Sequence, residues 1–75
     1  MNARDATLTM ISEFDGSMRN LTATMGYAPG YLNNIMKRDG IPRADTLVKV
    51  ANACGYDLLA RRRIDGYEIP IDEYD

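Results

Sequence analysis

The side chains best equipped for specific chemistry lie close together. They are Asn33, Asn34, Lys37 and Arg38, with Arg43 just beyond. An asparagine amide sets a donor beside an acceptor, the pair needed to read an adenine edge. Lysine and arginine bring fixed positive charge to phosphate oxygens, although a charge run also describes an ordinary solvated face. Tyr27 and Tyr31 can send their hydroxyls to a sugar-phosphate backbone or pack beside the helix, and both readings stand at this point. All of this is recognition chemistry. The means for making or breaking bonds are scarce. There is no histidine and one cysteine, which argues against structural zinc and His-based acid–base work. No acid and base sit at a meaningful spacing, and no Gly-rich phosphate loop occurs. The acidic tail from Ile71 to Asp75 lacks the ligand pattern of a calcium loop. Cys54 reads as a small buried hydrophobe, because a reactive thiol needs a cationic, exposed setting. The expectation is a protein that is not an enzyme and takes no metal or cofactor.

The elements that position these side chains centre on Ser17 to Gly40, which reads as two short helices and a tight turn. Leu21 and Met25 are four apart and share one helix face; Leu32 and Ile35 are three apart and share another. Gly26 follows the first pair and marks a helix end, since glycine takes a left-handed φ cheaply. Pro29 then fits the first turn of a new helix. This is the layout of a helix-turn-helix. Before it, Asn2 caps a helix that Leu8, Ile11 and Phe14 turn toward the core and Asp15-Gly16 stops. Ser17 caps the next helix. After it, Asp39-Gly40-Ile41-Pro42 leads to a fourth helix, supported by Asp45 in its first turn and ended by Gly55. Its inward stripe is Leu47, Val50, Ala51 and Cys54. Beyond Gly55 the period changes. Asp65-Gly66 signals a two-residue hairpin turn that pairs Ile64 with Tyr67, Arg63 with Glu68 and Arg62 with Ile69. One hairpin face then carries Leu58, Ala60, Ile64, Tyr67, Ile69 and Ile71, with Arg62 intruding. The acidic tail should fray at its end.

The stretch from Ser17 to Gly55 resembles the helix-turn-helix of the phage repressor and Cro class, the XRE-like family. The matching residues are Leu21 followed by small Thr22, Met25-Gly26, Leu32, Ile35, Pro42 and Leu47. The resemblance implies a mainly α, four-helix repressor-like domain with a C-terminal β-hairpin. The expected helices cover about 2–15, 17–25, 28–38 and 43–54, and the hairpin about 57–72, in one domain over 1–75. It also implies that the third helix enters the major groove of double-stranded DNA, with Ala28, Pro29, Gly30, Asn33 and Asn34 toward the bases. Gly30 would let the backbone approach a phosphate, and Pro29 would touch a thymine methyl. The full expected DNA-facing set adds Ser17, Tyr27, Tyr31, Lys37, Arg38 and Arg43. Met18 stands where the family prefers a glutamine that contacts the DNA backbone, and a thioether cannot donate that hydrogen bond.

Length and charge refine the expectation. Seventy-five residues make one domain with a modest core, which a dimer interface would help. No apolar run reaches the length of a membrane span, and the first ten residues lack a signal peptide's apolar core, so a cytoplasmic protein is the simplest reading. The formal net charge is −2. Positive charge concentrates in residues 17–49, with five positive and two negative side chains, while residues 50–75 hold three positive and six negative. The basic part of an acidic protein is therefore its helix-turn-helix. Two functions follow. One is a sequence-specific DNA-binding transcriptional regulator, of phage or mobile-element repressor type, acting as a homodimer through its C-terminal hairpin. The other is a protein-binding helix-turn-helix module, such as a phage-encoded inhibitor of a host enzyme (anti-CRISPR-like) or an antitoxin. The acidic balance, Met18 and the Pro29-Gly30 pair motivate the second.

Overall fold

Asn2 and Ser17 open helices as their side chains dictate. The Asn2 side-chain Oδ1 accepts the Asp5 N–H at 2.8 Å, and Ser17 Oγ accepts the Asn20 N–H at 3.0 Å. Each cap contributes about 1 kcal/mol to its helix. In the computed structural model, which describes residues 1–38 and 40–73, these helices are α1 (Ala3–Glu13) and α2 (Met18–Thr24). They are followed by α3 (Tyr31–Lys37), α4 (Ala44–Ala53), β1 (Leu58–Arg61) and β2 (Glu68–Ile71). The described chain is thus mainly α, with four helices and a C-terminal antiparallel hairpin. Asp39 of the α3–α4 connection, and Tyr74 and Asp75 of the acidic tail, lie outside the described residues, and with them the expectation that the tail's end frays.

The corner after α2 forms as expected. Gly26 has φ +84°, its N–H donates to Ala23 O at 3.0 Å, and the Tyr27 N–H donates to Thr22 O at 3.2 Å. This is a Schellman closure, and it needs a residue at ease in the left-handed region. Gly55 ends α4 the same way, with the Tyr56 N–H donating to Ala51 O at 2.8 Å.

The start of α3 corrects the expected boundary. Residues 28–30 are not helical. The Tyr31 N–H donates to Ala28 O at 3.0 Å, closing a turn with Pro29 at its second position. Proline's fixed φ suits that place as well as it suits a helix start. The first helical bond runs from the Asn34 N–H to Gly30 O at 2.9 Å. The helix therefore starts three residues later than predicted and, ending at Lys37, is about one turn shorter. The other helices stop one to two residues inside their expected limits, as capping residues stand outside the helix proper.

The core is built from Leu21, Met25, Leu32, Met36 and Val50, with Leu8, Met10, Ile11, Phe14, Met18, Ile35 and Cys54 half-buried against it. Met18 therefore packs inward from the first residue of α2. That explains its type: the thioether fills core space. α4 lies centrally, packing against α1, α2 and β1. It consequently buries Thr46 and Val48 as well as Val50 and Ala51, while Leu47 is only half-buried. Two of the three buried threonines satisfy their hydroxyls within their own helix. Thr7 donates to Ala3 O at 2.6 Å and Thr22 to Met18 O at 2.7 Å. Arg4 joins α1 to α3: its Nη2 donates to Met36 O at 2.7 Å, setting positive charge at the C-terminal end of that helix.

The hairpin keeps its expected faces but not its register. Leu58 pairs with Ile71, Leu59 with Pro70, Ala60 with Ile69 and Arg61 with Glu68. The predicted pairs Ile64–Tyr67, Arg63–Glu68 and Arg62–Ile69 do not form. Instead the Arg62 N–H donates to Tyr67 O at 2.7 Å and the Gly66 N–H to Arg62 O at 2.8 Å, leaving a four-residue loop. The cause is Asp65. Its carboxylate accepts Arg62 Nε at 2.9 Å, Arg62 Nη2 at 2.7 Å and the Tyr67 N–H at 3.1 Å. A two-residue turn would place Asp65 at a central turn position, without this bidentate fork. Ile64 sits at the tip, 89% exposed, and the cross-strand ion pair is Arg61–Glu68 at 3.0 Å. Arg62, which interrupts the apolar face, lies over the Tyr67 ring at 5.0 Å.

Candidate functional site

The helical period sets the outer face of α3. Leu32 and Met36 are buried, so Asn33, Asn34, Lys37 and Arg38 all fall on the exposed side. Asn33 and Lys37 are four apart, as are Asn34 and Arg38, which makes one stripe of two amides and two cations. Below it the helix is held by Leu32 and Met36 in the core and by Arg4 at its C-terminal end. A stripe on a helix so anchored keeps its spacing when it meets a partner.

The two tyrosines pack beside the helix. Their rings stack with centroids 4.3 Å apart and a 30° angle between planes. Tyr27 also packs against the core, and the Tyr31 hydroxyl lies 3.4 Å from Thr46 Oγ1. Lys49 Nζ sits 5.0 Å from the centre of the Tyr27 ring. Lys49 is thus a fourth cation of this surface, on α4, beside Lys37, Arg38 and Arg43. Nothing local in the sequence links Lys49 to Tyr27; only the packing of α4 does.

The remaining expected residues divide. Ser17 is exposed at the start of α2, and its oxygen already serves as the cap acceptor while its hydroxyl proton can still be donated. Ala28, Pro29 and Gly30 are exposed in the turn before α3, not on the helix. Arg43 stands just before α4 with its side chain 83% exposed, 3.6 Å from the Asp45 carboxylate. Between α3 and the chain that follows it, Tyr31, Asn34, Ile35, Arg38 and Gly40 line a shallow hollow of about 370 Å³. It has an apolar floor, an amide and a cation.

Elsewhere the ionisable groups point to structure, not chemistry. Burial pushes the Cys54 thiol above its ordinary range, and the Glu13 carboxylate adds to the effect. That thiol is poorly suited to act as a nucleophile. The Tyr56 hydroxyl donates to Glu13 Oε1, and this bond raises the phenol's pKa by favouring its neutral form. The Arg62 fork holds the Asp65 carboxyl below the usual range, helped by the Tyr67 N–H. A second hollow, also about 370 Å³, lies at the base of the hairpin beside Asn52, Leu59 and Pro70. No helix among the described residues is long and apolar enough to cross a membrane. Compared with family models, curated proteins and solved structures, the chain matches none.

Proposed function

We propose that this protein is a sequence-specific DNA-binding regulator of the repressor type, and that α3 is its reading helix. The observation that carries the proposal is the exposed stripe of Asn33, Asn34, Lys37 and Arg38 on a helix fixed to the core. Paired amides suit adenine edges in a major groove, and the cations beside them suit the flanking phosphates. The hollow formed by Tyr31, Asn34, Ile35, Arg38 and Gly40 combines an apolar floor with polar rims, which fits a base edge carrying a methyl group. Arg43, Lys49 and the Ser17 hydroxyl extend the phosphate-binding set. Ala28, Pro29 and Gly30 contribute backbone and apolar contact only, so the reading rests on the two asparagines. Titrating DNA from the protein's own upstream region, with Asn34→Ala and Lys37→Ala beside the parent, tests this.

One observation favours a second reading. The turn at residues 28–30 and the late start of α3 leave a seven-residue helix with few base-reading side chains. A protein partner docking on the stripe or on the acidic hairpin would need no more. In that case the double variant Asn34→Ala with Lys37→Ala leaves hairpin-mediated capture of the partner unchanged, and no DNA fragment binds folded protein at low salt.

A further inference from the structure

The β-hairpin has one closed inner edge and two outer edges, and these are not equivalent. The Arg62 N–H bonds to Tyr67 O, and hydrogen-bonded pairs alternate along an antiparallel ribbon. Arg62/Tyr67, Ala60/Ile69 and Leu58/Ile71 therefore bond inward, while the groups of Leu59, Arg61, Glu68 and Pro70 point outward. Pro70 has no N–H, so the outer edge of β2 cannot continue a ladder through it. The outer edge of β1 keeps its full set of donors and acceptors. Among the described residues the sheet has these two strands only, so no third strand covers that edge.

We infer that the β1 edge pairs with the same edge of a second copy, giving a symmetric four-stranded sheet. The sequence of β1 is self-complementary in one register. Antiparallel pairing of Leu59 with Leu59 of the second copy sets Asp57 opposite Arg61, and Arg61 opposite Asp57. Leu59 and Arg61 have outward-pointing backbone groups, and the alternation carried one residue past β1 gives Asp57 the same orientation, so about six main-chain hydrogen bonds would form in that register. Leucine meets leucine, and carboxylate meets guanidinium, at the same time. Arg61 already holds Glu68 at 3.0 Å, which sets its head group beside the ribbon with its side chain 64% exposed. Sliding by two residues puts Leu59 opposite Arg61 and loses the match. The pairing also meets a need of the fold. β2 is exposed along its whole length, and a two-stranded ribbon with so little cover is marginal in water, whereas four strands are not. The inference does not depend on DNA binding.

The test is sedimentation equilibrium of the full chain over a micromolar range, with amide exchange at Leu59. A dimer is expected, and the Leu59 amide should become protected as protein concentration rises. Leu59→Pro removes an outward N–H and should leave a monomer with its helical circular dichroism intact. Asp57→Arg and Arg61→Asp each set like charges face to face and should each weaken dimerisation by about tenfold. Mixing those two variants restores both opposite-charge pairs and should restore a heterodimer, an outcome that misfolding cannot imitate. A monomer throughout the concentration range overturns the inference. So does a dimer that survives Leu59→Pro and both charge variants but is lost in Ile69→Ser, since that is packing through the exposed apolar face instead of edge pairing.

Discussion

Asn34 and Lys37 lie three residues apart on α3, and the proposed DNA complex gives them different roles. An amide that reads a base discriminates between sequences; an ammonium that meets a phosphate does not. Asn34→Ala should therefore cost about 1–3 kcal/mol on the preferred site and little elsewhere, measured by fluorescence anisotropy on matched and mutated fragments. Lys37→Ala should weaken all fragments alike and lower the salt slope by about one. Arg4 belongs to the same site from behind. Its half-buried guanidinium holds Met36 O, so Arg4→Ala should destabilise the fold by about 1.5–3 kcal/mol in a urea titration. Asp65 gives a pH signature at the hairpin. Its folded pKa is depressed, so the stability it lends is present in full above its unfolded value, about 3.9, and is lost as pH falls toward the folded value. The Asp65 and Tyr67 resonances should shift together below that point, and in Arg62→Ala the midpoint should move up.

At the scale of elements, short-range rules were the readable part. Caps at Asn2 and Ser17 and the corner at Gly26 depend on neighbours within a few residues, and they stand where the spacing put them. Two boundaries depended on a choice that local sequence leaves open. Pro29 suits both the first turn of a helix and the second position of a turn, and the backbone takes the turn. Asp65-Gly66 signals a loop but not its length, which the Arg62–Asp65 fork decides. Apolar spacing found Leu21, Met25 and Leu32, but not Met36, Thr7 or Thr46, whose burial comes from how the helices cross. The same is true of Lys49, which joins the candidate site only through Tyr27. Gly26 offers a test of the corner. A Cβ there would meet nothing within 4 Å, so Gly26→Ala should cost only the left-handed φ, about 1–2 kcal/mol by urea denaturation.

The whole molecule is elongated, 40 × 26 × 21 Å, with a radius of gyration of 12.8 Å against about 11 Å for an average compact chain of this length. The hairpin is its least covered part, with every residue from 60 to 71 exposed. Charge also separates along the sequence: residues 17–49 hold five cations against two carboxylates, and residues 50–75 hold three arginines against six carboxylates, four of which flank or follow the hairpin. Such segregation lets a chain of net charge −2 present a basic face to a polyanion while its acidic end stays clear. If Lys37, Arg38, Arg43 and Lys49 all meet phosphates, the logarithm of affinity should fall with the logarithm of salt at a slope of about −3 to −4 per protomer. The most direct measurement is a binding titration of folded protein with its own upstream DNA at two salt concentrations, run beside the Asn34→Ala, Lys37→Ala double variant. The expected result is a specific complex that weakens with that slope and is lost in the double variant. Absence of any complex at low salt, or binding that the double variant leaves unchanged, would contradict it.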